Sequence, residues 1–291
     1  MTNTWIVAAR PQISALIDIG RARGGTITAV VAGVDAGQFA GVDRLITVEA
    51  GAGVPTEALA GAVADVVAPQ PGDVILVANR PSERVLAGAV AAKHGLPILT
   101  GAKKIEAGSA EISRYGGVAQ KTISLAKPVV LVVDGGAEPQ GDAPAAEVVS
   151  AEPYQAAVTA TDVASVAQVN LAVAKRIVAV GRGFKSEADL QLARDLATAI
   201  GAELACSRPI AEGSGWLGRD RYVGVSGQHV APDVYIALGI SGQLQHTVGM
   251  DTSKVVVAVN TDENAPIFAG SDYGIVGDVY SVVPAMTAAV K

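Results

Sequence analysis

Four turns in the second half of the 291-residue chain carry residues suited to holding an anionic ligand: Gly181-Arg182-Gly183, Ser207-Arg208, Gly239-Ile240-Ser241-Gly242 and Asn260-Thr261-Asp262. Glycine lets a ligand approach the backbone closely. A guanidinium at a strand end is a good partner for a phosphate. Val234–His246 is the organising stretch: a β-branched apolar run, a turn at Gly-Ile-Ser-Gly, then an expected helix whose start would offer free N–H groups and a positive dipole end. Val223-Gly224-Val225-Ser226 adds a glycine-flanked hydroxyl. Four strands ending in such turns converge on one sheet edge, where open α/β sheets bind ligands. Any one turn alone reads equally as an ordinary strand–turn–helix unit.

The elements that must position these turns follow from periodicity. Strands are expected at Thr4–Ala8, Thr26–Val31, Arg44–Val48, Asp73–Ala78, Pro97–Leu99, Val118–Ser124 and Val129–Val133. Between them, helices are expected at Pro11–Gly24, Thr56–Ala68 and Glu83–His94, the last with Ser82 as N-cap and Gly95 as its stop. His94 reads as a cap at that helix's C-terminus. Gly135–Glu152, rich in glycine and proline, reads as the approach to a domain boundary. Tyr154–Asp162 is a further strand candidate, and Ser165–Lys175 a helix or linker. A second unit then opens with a strand at Arg176–Val180 and a helix with a capping box at Ser186 and Asp189. Strands at Glu203–Cys206 and Lys254–Asn260 follow, and a terminal helix from Asp278 buries Val282, Val283 and Met286. Alternating strand and helix predict an α/β chain: a mostly parallel N-terminal domain over 1–163, a Rossmann-like parallel-sheet domain over 164–291, and a linker about 135–175.

Composition narrows the function. Half the residues are hydrophobic, 17% are charged and 4% aromatic, a mix suited to buried parallel strands under alanine-rich helices. The net charge of −6 and the lack of a basic cluster give no support to nucleic-acid binding. One cysteine, Cys206, excludes an internal disulfide and reads as a small buried hydrophobe. Three histidines without ligand spacing argue against a metal. No apolar run reaches the length of a membrane span. Strand-like residues from Thr4 lead us to expect no leader and a cytoplasmic protein.

The segment Val234–Asp278 resembles the electron-transferring flavoprotein alpha subunit. The resemblance rests on Pro232–His246, Gly249-Met250, Val257–Asn260, Asn264–Phe268 and Asp272–Asp278, with Gly181-Arg182-Gly183 and Cys206-Ser207-Arg208 upstream in order and spacing. Gly201–Pro209 is most similar to the bacterial branch linked to acyl-CoA, carnitine or nitrogen-fixation electron transfer. The resemblance implies FAD in the C-terminal domain and a heterodimer with a beta subunit that carries AMP or a second FAD. It also implies electrons arriving from an acyl-CoA dehydrogenase-type or other redox partner, so that the protein is a carrier rather than an enzyme. Matched by position, Arg182 lies near the diphosphate, Ser207 contacts FAD, Arg208 stacks on the isoalloxazine and Ser226 faces N5. Ser241, Gly242, Gln243, Leu244, Gln245 and His246 run along the diphosphate and ring, with His246 near the C2 carbonyl. Asn260 and Asp278 fall at the adenosine end, and Val223, Gly224, Val225 and Val279 complete the set. Val225 departs from the glutamine found in many members.

Electrostatics agree with that role. A stored anionic semiquinone is favoured by a cation or N–H donor near N1 and O2, for which Arg208 and His246 are suited, His246 as donor or imidazolium. Two other readings stand beside it. A nicotinamide-dependent oxidoreductase is disfavoured by Ser186 at the third glycine position of the dinucleotide motif. A nucleotide-binding scaffold subunit is disfavoured by Arg182, Arg208, Ser241, His246 and Asn260 all being present.

Overall fold

A computed structural model describes residues 2–49, 51–115, 118–161 and 169–290. The chain divides into two compact units, Met1–Val163 and Ala164–Lys291. The junction lies within 162–168, outside the described residues, as does the first part of the expected helix or linker at Ser165–Lys175. Of the rest of that stretch, only Leu171–Val173 forms a 3-10 turn.

In chain order the first unit contains β1 (Asn3–Ala8), α1 (Ser14–Arg23), β2 (Thr26–Ala32), β3 (Arg44–Glu49), α2 (Ala60–Val66), β4 (Val74–Ala78) and α3 (Pro81–His94). It continues through β5 (Ile98–Thr100), β6 (Ala102–Ile105), β7 (Ser109–Arg114), β8 (Ala119–Ser124), β9 (Val129–Val133) and β10 (Ala146–Ser150). Seven strands form one parallel sheet in the order β10-β3-β2-β1-β4-β9-β5. Because β1, β2, β4 and β9 are near-continuous apolar runs, both faces of this sheet are buried. Val7, Val30, Ile75 and Val130 pack on one side, and Ile6, Ile27, Leu76 and Leu131 on the other.

Several expectations are corrected here. β6, β7 and β8 make a separate antiparallel sheet, of which only the last strand was expected. Gly135–Glu152 contains β10, which extends the main sheet beside β3. Tyr154–Thr161 forms no strand: it is exposed and offers no alternating apolar face, and Tyr154 and Val158 donate their N–H groups singly to Ala58 and Gly53. The rest of that candidate, Asp162, lies outside the described residues. Ser82 is inside α3, not its cap, because Pro81 with its fixed φ takes the first helical position. The Ser82 hydroxyl donates instead to Glu57 at 2.6 Å. His94 approaches the Ala64 carbonyl at 3.2 Å, in the last turn of α2 rather than of its own helix.

The second unit contains β11 (Arg176–Val180), α4 (Leu190–Ile200), β12 (Glu203–Cys206), β13 (Val234–Leu238), α5 (Leu244–Thr247), β14 (Val255–Asn260), β15 (Tyr273–Val276) and α6 (Val279–Ala289). Its five strands are parallel in the order β12-β11-β13-β14-β15. The chain leaves β11 for one neighbour, β12, and later returns on the other side as β13, so the topology reverses between β11 and β13. Leu190, Ala193 and Leu196 of α4 and Val279 and Val283 of α6 cover one face, while Ile177, Tyr235 and Ile267 belong to the core of the other. On α6 the innermost stripe is Val279, Val283 and Thr287, with Val282 and Met286 only partly buried.

At the reversal the turns after β11 and β13 touch backbone to backbone. The Gly183 N–H donates to the Gly239 carbonyl at 3.1 Å. Gly239 has φ +62°, and a Cβ there would stand 2.7 Å from the Gly183 Cα. Gly239→Ala is therefore expected to destabilise this unit by about 2–3 kcal/mol, from left-handed backbone strain plus overpacking. Urea denaturation of the variant beside the parent protein checks this; a loss under about 0.5 kcal/mol, within the range of an ordinary surface change, would refute the close-approach argument.

Candidate functional site

The reversal point opens into a cleft of about 470 Å³. Of the expected site residues, Arg182, Ser207, Arg208, Val225, Ser241, Gln243, Gln245, His246 and Asn260 line it. They come from the turns after four consecutive strands of the sheet and from the 222–228 loop. Gly183, Pro209, Tyr222, Gly239 and Ile240 line it as well and were not in the expected set. Gly183 and Gly239 belonged to motifs already singled out. Tyr222 had no local signal: it reaches the cleft through a bridge to Cys206 formed across a long loop.

The remaining expected residues sit elsewhere. Val223 is fully buried and belongs to the core. Gly224 is buried and packs against the 245–249 backbone, where Val225 donates its N–H to the Gln245 carbonyl at 2.8 Å. Gly242, with φ +80°, is pressed onto the Ile267 backbone. Leu244 is exposed but does not line the cleft. Ser226 stands behind Tyr222, their hydroxyls 3.1 Å apart. Asp278 is the N-cap of α6, its carboxylate accepting the Tyr280 N–H at 3.1 Å, and Val279 is a core residue beneath it. Neither lines the cleft, because the helix start and the core use both.

The turns are cross-tied. Asn260 Nδ2 donates to the Ile240 carbonyl at 2.9 Å, and its Oδ1 accepts the Asp262 N–H at 3.0 Å. Ile267 donates its N–H to the Ser241 carbonyl. The expected helix after Gly242 is one turn, α5, with Gln243 as its unassisted N-cap. So short a helix has little macrodipole, and the cations must supply most of the field.

Two guanidiniums face this space. Arg182 is exposed at the cleft wall. Arg208 is also largely exposed, with Nε donating to Glu212 Oε2 at 2.6 Å. Beneath them the chemistry is neutral. His246 is 7% exposed, and its Nε2 lies 3.0 Å from the hydroxyl of the fully buried Tyr235. That hydroxyl has no other partner among the described residues, so it donates to Nε2 and leaves the imidazole proton on Nδ1. Nδ1 is buried without a partner of good geometry, the kind of orphan donor that a ligand acceptor satisfies. Burial pushes the imidazole down to about 4, against a weaker opposite pull from the Val223 carbonyl. Of the two roles expected for His246, donor or imidazolium, burial leaves that of a neutral donor, because it disfavours the charged form. Burial raises the Cys206 thiol to about 12, which makes it the inert hydrophobe anticipated.

A parallel α/β domain with a glycine-walled, cation-lined cleft at its reversal point belongs to the class that holds nucleotide cofactors. Comparison with known proteins sharpens that. The family model for the electron transfer flavoprotein domain matches residues 13–174, and that for the electron transfer flavoprotein FAD-binding domain matches 170–251. Protein FixB of Escherichia coli O6:K15:H31, strain 536, is 38% identical over 247 residues, covering 80% of this chain and 79% of FixB. FixB of Escherichia coli O81, strain ED1a, matches to the same extent. YdiR of Escherichia coli K12, a proposed electron transfer flavoprotein subunit, is 56% identical over 118 residues, which is 40% of this chain and 38% of YdiR. The chain belongs to the electron transfer flavoprotein alpha-subunit family and is an FAD-binding electron carrier. Among the described residues no helix is long and apolar enough to cross a membrane.

The histidine carries a pH prediction. Its folded pKa of about 4 lies below the unfolded value near 6.5, so the unfolded chain binds the extra proton between them. Stability from this group is complete above pH 6.5 and lost as pH falls toward 4, by roughly 3 kcal/mol in all. The difference in unfolding free energy between the parent and His246→Gln should vary across that window in this sense. A His246 signal titrating near 6.5 in the folded chain would contradict it.

Proposed function

We propose that this chain is the alpha subunit of a heterodimer with an electron-transferring flavoprotein beta subunit, and that its FAD sits in the cleft between the turns after β11 and β13. The convergence of Arg182, Ser207, Arg208, Ser241, His246 and Asn260 on that one cleft carries the reading. The residues fit the cofactor. Arg182 is an exposed cation suited to the diphosphate, and the bare Gly183–Gly239 wall would let that group approach the backbone. Arg208, at the mouth, would face the ring system. His246 supplies a neutral N–H from below, which needs an acceptor such as a ring carbonyl. Val225, 47% exposed, gives an apolar edge that a flat ring can cover. The bound flavin would supply one-electron chemistry, accepting from a dehydrogenase of the acyl-CoA type and passing the electron to a further redox partner. Arg208 would supply positive charge, and His246 a neutral N–H donor, to negative charge added in the cleft.

The alpha chain expressed without its partner is expected to lose FAD or aggregate, since an obligate interface buries ~2,000 Å² or more. A monodisperse, flavin-replete monomer by light scattering and absorbance would contradict the heterodimer. Within the complex, Arg208→Ala should lower the flavin midpoint potential and reduce the half-reduced form seen in a dithionite titration. A titration superimposable on the parent's would remove Arg208 from its assigned place. Denaturing the complex and finding no FAD in the supernatant would end the proposal.

A further inference from the structure

Arg208 does not act alone. The backbone after β12 makes a single wide helical turn, Pro209–Ser214, which begins at Arg208 and ends at Gly215 in the left-handed region. Ile210 and Leu217 anchor the segment in the core, and Trp216 donates its N–H to the Ile210 carbonyl. This places Glu212 one turn along from Arg208 and opposite Arg219. One carboxylate oxygen of Glu212 accepts from Arg208 Nε at 2.6 Å, and the other faces Arg219 Nη2 at 2.8 Å. Arg208 lines the cleft, but Glu212 and Arg219 do not. Two cations therefore share one anion, and this trio contributes one net positive charge beside the cleft, in addition to Arg182.

We propose that Glu212, held between Arg208 and Arg219, is a positioning and tuning residue that sets the electron affinity of the flavin by cancelling one of the two guanidinium charges it bridges. The inference rests on the cleft being the FAD site. When an electron leaves the donor and enters the cleft, no bond breaks and one negative charge is added there. Arg208 and Arg219 favour that added charge, and Glu212 opposes it. Glu212 also fixes Arg208, since a bound Nε leaves the guanidinium few orientations. All three groups reach solvent, so the effect should weaken as salt rises.

The test uses the FAD-loaded complex with the beta subunit, titrated with dithionite at low and high ionic strength. Glu212→Gln keeps an acceptor for Arg208 but removes the charge, and should raise the midpoint potential at low salt. Glu212→Asp keeps the charge and should stay near the parent. Arg219→Ala leaves Glu212 paired with Arg208 alone and should lower the midpoint. An unchanged or lowered midpoint in Glu212→Gln, with Arg208→Ala still moving it, would overturn the proposal while leaving the flavin site intact. If Arg208→Ala also leaves the midpoint unmoved, the reading of the cleft itself fails. Should Glu212→Gln not retain FAD, Arg219→Ala decides: a lowered midpoint supports the proposal and an unchanged one overturns it.

Discussion

The contact between the backbones of Gly183 and Gly239 governs the architecture of the second unit. β11 and β13 are adjacent and parallel, so their turns leave the sheet side by side and at one level. With a side chain at Gly183 or Gly239 the two turns would have to separate, since a Cβ on either would stand 2.7 Å from the opposite Cα. The absence of Cβ atoms lets the turns lock through the hydrogen bond from Gly183 to Gly239. Every other tie in the cleft is built outward from there. Asn260 holds the Ile240 carbonyl, Ile267 holds the Ser241 carbonyl, and the Gln245 carbonyl holds the Val225 N–H. The cleft is a consequence of strand order, made usable by two residues without side chains.

Charge is arranged in layers around it. Beneath the cleft, the buried polar pair of Tyr235 and His246 is neutral, because a charge at that depth would need a partner the core does not offer. At the mouth, Arg182 and Arg208 are exposed to water, and Arg219 stands beside them, paired with Glu212. A flat, anionic, partly apolar cofactor suits that gradient: apolar and neutral donor contacts inside, cations at the rim. It also explains why the short α5 suffices, since a strong helix dipole is not required where guanidiniums are at hand.

How far this was legible in the sequence depended on the physical signal each part carries. β1, β2, β4, β9, β11, β13 and β14 are β-branched runs buried on both faces, and hydropathy alone finds them. β6 and β7 are short and polar, with Lys103, Lys104, Glu106 and Glu111 in or beside them, and their pairing is a long-range property that composition does not reveal. β15, Tyr-Gly-Ile-Val, is an exposed edge strand of four residues with a glycine inside it, too short a run to mark a strand. The polar turn residues were found because they follow strands. Tyr222 was not, because a loop brings it there. Asp278 carried two readings, helix cap and ligand contact, and the hydrogen bond to Tyr280 shows the first. The protonation of His246 could not be read at all from sequence, since it follows from burial beside a tyrosine eleven positions earlier.

The first unit, whose strands follow a different order, shows what a reversal of strand order does when its crevice is not kept open. Its sheet also reverses direction, between β1 and β4, and the turns after those strands also lie side by side. There, however, the chain fills the space itself. The Arg80 guanidinium donates to the Gln12 carbonyl at 2.8 Å and pairs with the buried Glu83. The start of α1 spends its free donors on the segment after β9: Ser14 and Ala15 donate their N–H groups to the Ala137 and Gly135 carbonyls, and the Ser14 hydroxyl accepts the Ala137 N–H. An anion arriving there would find the helix start already satisfied and the arginine already paired. In the second unit the helix after β11 begins only at Leu190, well past the glycine turn, and Arg182 remains exposed. The two reversal points thus differ because at one the loops consume the crevice's hydrogen-bonding capacity, while at the other glycine turns leave it available.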